Sequence, residues 1–399
     1  MNEGTFGVHL LKSQTGIISP LHLDGALANS RSRYNFSTNS FRSSLVTVSQ
    51  FVYTEICAGV LGSTTAQLRT TGAYPPLSFD WMSTAQNGVD SGCRGGVLSV
   101  SNVLEISLGQ NGGGVYSSSD QKETSWSMFS VTDTMKYASQ LLCVFGARSY
   151  SDYGALPLLN TLVNPVSPVR LYNAATTVYT CASDASAYFF SMSVGVPAGK
   201  IATVQLVISG VGYTFEMTRQ NTLTTGTTTL ARTVLVPCTS DARIVLIDGE
   251  VVPGSNLMSF TAVPYELKTG TSVSWAGYRT RDVTIPGTIT YDRWLVQEGI
   301  NFQVENSIIL IPVSGYYYVY VSAGVGQGKP VDLSVLLNNN SLFGVTRTAT
   351  DHNGVDTMGH GMVVFLAAND QLRVDASSTA YSSSTGLHTS FIGMLLYQN

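Results

Sequence analysis

Charge is scarce in this chain. Asp, Glu, Lys and Arg make up 12% of its 399 residues, against roughly 25% in an average soluble domain. The net charge is -4 and no run of Lys or Arg occurs, which excludes the electrostatic footprint of a nucleic-acid binder or a packaging arm. No window approaches the roughly 18 consecutive apolar residues of a membrane helix. The start, "MNEGTFGVHLLKSQTG", lacks the basic n-region and long apolar stretch of a signal peptide. The five cysteines, Cys57, Cys93, Cys143, Cys181 and Cys238, are odd in number, form no CxxC pair and leave the last third of the chain empty. A disulfide framework or zinc motif is spaced differently, so buried free thiols are expected, with one opportunistic bridge as the alternative.

Catalytic motifs are missing too. His9, His22, His352, His360 and His388 are scattered without an HExxH spacing, and no GxSxG, phosphate-cradling or dinucleotide glycine motif appears. His352 and His360 flank "NGVDTMG" near Asp351 and Asp356. They are compatible with a metal or pH-sensing loop, but a polar loop between two strands is the preferred reading. The Ser-rich "DASSTAYSSSTG" reads as an exposed loop, and the sequons at Asn35 and Asn339 matter only in a secretory context. With no base, nucleophile and orienter together, an enzyme is disfavoured.

What the chain does have is strands. "ATVQLVISGVGYTFEM", "TVLVPCTSDARIVLIDG" and "NSIILIPVSGYYYVYV" are β-branched and aromatic runs punctuated by Gly, Pro, Asn and Asp. No sustained helical periodicity accompanies them. An all-β sandwich or barrel follows. One of the strands is written three times: "FVYTEICAGV" from Phe51, "AYFFSMSVGV" from Ala187 and "YYYVYVSAGV" from Tyr316.

Landmarks recur around it. Upstream lie the glycines of "TFGVH" (Gly7), "VFGAR" (Gly146) and "WAGYR" (Gly277). Downstream comes an apolar segment, and then a closing strand: "WSMFSVT", "LMSFTAV" and "FIGMLLY". The period of about 130 residues is domain-sized. Three tandem β domains are expected, over 1–139, 140–270 and 271–399.

In the third copy, "VSGYYYVYVSAGV", "VDLSVLLNNNSL", "GMVVFLAANDQLRVDA" and "TSFIGMLLY" resemble the globular head of complement one-q and the related tumour-necrosis-factor-like domains over Ser274 to Tyr397. The first two copies are assigned through the repeat. In them the glycine before the aromatic strand is replaced, and Gly393 is answered by Met128 and Ser259. The resemblance implies a ten-stranded jelly roll that assembles as a threefold trimer, with one sheet of each jelly roll packed around the axis. In some relatives calcium binds near the apex, for which Asp351, Asp356 and Asp370 are the oxygen donors on offer. No dense acidic run supports such a site, and no cofactor is expected.

Alternation along a strand sorts the repeated residues onto two faces. Tyr317, Val319 and Val321, with Tyr188, Phe190 and Met192 and with Val52, Thr54 and Ile56, form each sandwich's own core. The opposite face carries Tyr316, Tyr318 and Tyr320; Ala187, Phe189 and Ser191; and Phe51, Tyr53 and Glu55. Three chains stacked as tiers would gather three copies of Glu55 at one axis, where like charges repel. A pseudo-trimer made by one chain places a single Glu55 beside Ser191 and Tyr320, both able to donate hydrogen bonds. Junctions of only about ten residues favour the same choice. The candidate pseudo-threefold interface is therefore Tyr53, Glu55, Phe189, Ser191, Tyr318 and Tyr320.

Two functions fit. The first is a non-enzymatic structural block of a larger assembly, a virion capsid, vertex or surface component whose partners are other structural proteins. The alternative is a complement-like recognition module for glycan or protein ligands on a cell or microbial surface, reaching the extracellular space by a route the sequence does not reveal. Neither involves direct nucleic-acid contact or membrane insertion.

Overall fold

The structure, a computed structural model, describes residues 5–399 apart from 11–13, 16–22, 30–33, 36, 43–50, 63, 73–75, 83–87, 100–104, 147–150, 152–153, 157, 162–170, 174, 182–184, 211, 223–224, 253–256, 269, 285, 304–306, 328 and 348–354. Among these residues the regular elements are strands, save a four-residue helix, Val131–Thr134, and a 3-10 turn, Ala138–Gln140. Both lie in the first junction. Ser130 caps the helix by accepting a hydrogen bond from the Asp133 backbone N–H at 3.1 Å.

The strands form three pairs of sheets, each a five-stranded sheet with a six-stranded one. In the first five-stranded sheet the order is Gly25–Asn29, Phe6–His9, Ser125–Ser130, Phe51–Leu61, Val89–Ser99. The other two repeat it with Leu142–Gly146, Ser259–Tyr265, Ala187–Pro197 and Thr227–Val236, and with Ser274–Tyr278, Ser390–Gln398, Gly315–Gly326 and Val355–Leu366. These are called below the opening, closing, middle and edge strands. Among the described residues each pair has eleven strands, against the ten implied by the resemblance. The extra one is a two-residue strand off the main path of the six-stranded sheet: Gln14–Thr15, Gly154–Ala155 or Gly287–Thr288.

The middle strands share one register. Gly59, Gly195 and Gly324, eight residues into each repeat, all make an isolated bridge outside the sheet, to Tyr116, Val252 and Tyr381. This register corrects one correspondence. Val319 faces Gly393, and its equivalents Thr54 and Phe190 face Met128 and Ala262. Ser259, three residues off, instead faces Ser193, as Ser390 faces Ser322. Only strand pairing exposes the slip, because both frames put an apolar run on the closing strand.

The cores use the correspondence economically. In the third pair Trp275 stands on the opening strand against Phe391 of the closing strand, centroids 5.8 Å apart. In the first pair the two are exchanged: Phe6 opens and Trp126 closes, 5.0 Å apart and edge to face. One indole and one phenyl are thus conserved in sum across the sandwich while trading strands, as close packing at fixed volume requires. Gly393 exists for the indole, since a Cβ there would come within 2.0 Å of the Trp275 ring.

The cysteines correct an expectation. Cys57 and Cys93 face each other on neighbouring strands and form a disulfide; Cys181 and Cys238, each just past the end of a strand, form a second; only Cys143 is free, and it is buried. Their separations of 36 and 57 residues match no spacing motif. Strand register brings Cys57 onto Cys93, and the chain just past Val178–Thr180 and Thr227–Val236 brings Cys181 onto Cys238.

Replacing Gly393 by Ala is expected to lower the free energy of unfolding by about 1–3 kcal/mol through overpacking against Trp275. Denaturant titration measures it, and a neutral result would contradict this account of the core.

Candidate functional site

The six-residue face picked out by alternation lies in one buried region. The rings of Tyr53, Phe189 and Tyr318 form a closed triangle with centroids 4.8, 5.4 and 5.8 Å apart, each pair close to perpendicular at 89°, 87° and 83°. Edge-to-face contact suits three rings meeting about one point, because each positive edge meets a neighbour's negative face. The Tyr53 hydroxyl donates to Ser191 Oγ at 3.4 Å. Glu55 accepts from the Tyr318 hydroxyl. Tyr320 is not the donor: it sits beside Arg232 and the Thr233 backbone. A tyrosine side chain carries its hydroxyl about one two-residue strand step, roughly 6.6 Å, from its own level, so partners form between levels rather than within one. Glycines on the edge strands make room. A Cβ on Gly95 would lie 1.7 Å from the Tyr53 hydroxyl, and one on Gly361 would lie 2.3 Å from Glu55 Oε2.

Three further residues, none of them assigned to this face by the sequence, tie the sheet pairs together. Arg94, Arg232 and His360 occupy equivalent edge-strand positions, opposite Ile56, Met192 and Val321. Each reaches the following pair of sheets. Arg94 of the first pair donates to Ser193 Oγ of the second at 3.1 Å. Arg232 of the second donates to the Gly386 and Leu387 carbonyls of the third. His360 of the third bonds Ser125 of the first, Nε2 to Oγ, at 3.0 Å. The direction is the same every time, and the last step returns to the start.

The edge-strand backbones repeat the pattern. Leu235 donates its N–H to the Tyr278 hydroxyl at 3.2 Å, and its equivalent Val363 donates to Ser127 Oγ at 3.0 Å. Gly7 is a landmark for this reason: a Cβ there would meet the Val363 carbonyl oxygen at 2.0 Å. At another equivalent position, opposite Ala66, Ala202 and Val331, stand Trp81, Arg219 and Arg347. The two guanidinium groups lie 4.0 and 5.9 Å from the Trp81 ring centre, a cation–π arrangement in which one indole replaces a third positive charge.

The stretch read from the sequence as a polar loop, with a metal or pH-sensing loop as the alternative, is in part strand. Asp356 and His360 belong to the strand Val355–Leu366 rather than to a loop. Asp356 is buried in an ion pair with Arg347 and accepts from the Gln220 backbone N–H at 3.1 Å. Asp370 caps a turn instead, accepting from the Ala367 N–H at 2.8 Å and from Asn338 at 2.7 Å. His22, Asp351 and His352 lie outside the described residues.

With this geometry in place, comparison with known proteins adds the following. Residues 276–396 match the C1q domain, a segment under a third of the chain. The chain is similar to solved structures of Eiger TNF from S. frugiperda (14% identity, 33% of this chain and 95% of that chain, TM-score 0.28) and of murine APRIL (14% identity, 32% and 100%, TM-score 0.28). It is also similar to the globular domain of zebrafish complement 1qA (15% identity, 33% and 100%, TM-score 0.26). No curated protein matches it. The third pair of sheets is thus a C1q-like jelly roll, and the first two pairs repeat its strand order. C1q and TNF-like domains are generally non-enzymatic modules of recognition or structure, and proteins with C1q domains are usually extracellular. Among the described residues no helix is long and apolar enough to cross a membrane.

Burial shifts the titrating groups at this centre. It pushes the Glu55 carboxyl up to about 8, against hydrogen bonds from Tyr318 and the Gly361 backbone that favour ionisation. It also holds His9 and His360 down at about 4 and His388 at about 3. Glu55 therefore contributes stability that is whole below its unfolded value near 4.5 and is lost as the pH rises through about 8. The histidines contribute stability that is whole above their unfolded value of 6.5 and is lost as the pH falls toward 4 and 3. Stability should peak between these limbs. Glu55→Gln should remove the alkaline decline, whose slope approaches about 1.4 kcal/mol per pH unit, and leave the acid limb. Unfolding curves from pH 4 to 9 check this; an unchanged alkaline slope in the variant would sink the assignment.

Proposed function

We propose that the chain is a non-enzymatic structural block in which three jelly-roll domains, 1–139, 140–270 and 271–399, close on themselves as an intramolecular pseudo-trimer. The observation that carries this reading is the cyclic reach of Arg94, Arg232 and His360, each from one sheet pair to the next. A chain that makes all three contacts internally has no like partner left to find at that face. The ring triangle of Tyr53, Phe189 and Tyr318, together with Glu55, Ser191 and Tyr320, is the seam of the block. The block's place is in a virion, as a capsid, vertex or surface component. Supporting this are jelly rolls' frequent use in capsids, the scarcity of charge, and net acidity unsuited to holding a genome.

The C1q match over 276–396 favours a second reading, a recognition module that presents its loops to a glycan or protein on a cell or microbial surface. Quantitative mass spectrometry of purified particles from the producing source separates the two. The structural reading expects the chain in a fixed molar ratio to the major shell protein. Absence from particles, together with saturable binding of the purified chain on a glycan or surface-protein array, would replace it with the recognition reading.

A further inference from the structure

The centre between the first and third sheet pairs contains a cluster whose three side chains can do more than form the disulfide and the hydrogen bond already described. Cys57 lies on the first middle strand and Cys93 directly across from it on the first edge strand. His360 arrives from the third edge strand, and one ligand atom from each of the three lies within 4.8 Å of the others, all buried. A tetrahedral zinc site with Zn–S of about 2.3 Å and Zn–N of about 2.0–2.1 Å has ligand-to-ligand edges of roughly 3.5–3.8 Å, so shifts of about an ångström would close it.

The histidine is already set as a ligand. Its Nδ1 is 2.5 Å from the Gly344 carbonyl oxygen. That contact places the proton on Nδ1, leaves Nε2 with its lone pair, and is the orienting bond metal-binding histidines use. Nε2 faces Ser125 Oγ at 3.0 Å, a hydroxyl that can fill the fourth position directly or through water. Two thiolates and a divalent cation sum to zero charge, which a site this buried requires.

We propose that Cys57, Cys93 and His360 form a soft divalent-metal site of the zinc class joining the first and third domains when the Cys57–Cys93 disulfide is reduced. A thiol or phosphine reductant supplies two electrons, and with two protons the disulfide becomes two thiols. The metal then binds both sulfurs and His360 Nε2, and the two thiol protons leave to solvent. In the oxidised state seen here the same sulfurs bond each other, and His360 Nε2 accepts a hydrogen bond from the Ser125 hydroxyl in place of holding a metal. The site rests on the ring reading in so far as His360 must stand against the first domain.

The test is cobalt titration of the full chain, reduced with a phosphine and freed of metal. One equivalent of Co2+ per chain, with thiolate-to-cobalt charge transfer and tetrahedral ligand-field bands, is expected. Cys57→Ser/Cys93→Ser should abolish the bands, and His360→Asn should weaken cobalt binding at least tenfold, while His388→Asn should leave it unchanged. A measurement without variants guards against misfolding: zinc should raise the thermal midpoint of the reduced wild-type chain and not of the disulfide form. No charge-transfer band in a reduced, β-folded chain that titrates five free thiols would overturn the proposal. So would cobalt binding indifferent to His360→Asn, a result that leaves the ring reading to be judged separately by solution mass.

Discussion

Everything at the centre of this molecule depends on an edge strand having something to lie against. Each five-stranded sheet ends in a strand with one side outside the ladder, at Val89–Ser99, Thr227–Val236 or Val355–Leu366, and an uncovered edge invites aggregation. Here each edge is laid on the next sheet pair, where Ser193, the Gly386 and Leu387 carbonyls and Ser125 receive it. The glycines at 7 and 361 follow from that one constraint, because the Val363 carbonyl and the Glu55 carboxyl of a neighbouring sheet pair pass where a Cβ would be.

Writing three copies into one chain frees them from being alike. A homotrimer must repeat every axial residue three times, so an axial carboxylate brings two companions and their mutual repulsion. This chain places one carboxyl, Glu55, under one phenol, Tyr318, and sets one indole, Trp81, between two guanidinium groups. The proposed pseudo-trimer thus holds polar groups at its seam that an exact threefold would have to exclude or neutralise. The same freedom allows the Trp–Phe exchange between the first and third cores.

What the sequence made legible was what lies along a single strand. The repeat, the all-β class and the two faces of each middle strand follow from period-two alternation and punctuation by Gly and Pro. What lies across strands was not legible. The bridges Cys57–Cys93 and Cys181–Cys238, the position of Ala262 rather than Ser259 opposite Phe190, and the choice of Tyr318 over Tyr320 as donor to Glu55 all depend on register, chain path and side-chain reach. Arg94 and Arg232 escaped notice, and His360 was placed in a loop, for a related reason: unlike residue types at matching positions leave no repeat to see. Their shared offset from the middle strands was the one available signal.

The central claim is that one chain supplies all three positions around the seam. Light scattering of the purified protein tests it most directly, with the 42.6 kDa of a single polypeptide as the reference. The account predicts that mass and no more at dilution. A particle of three chains would contradict it, because the cyclic contacts would then run between chains and the three sheet pairs would stack as tiers.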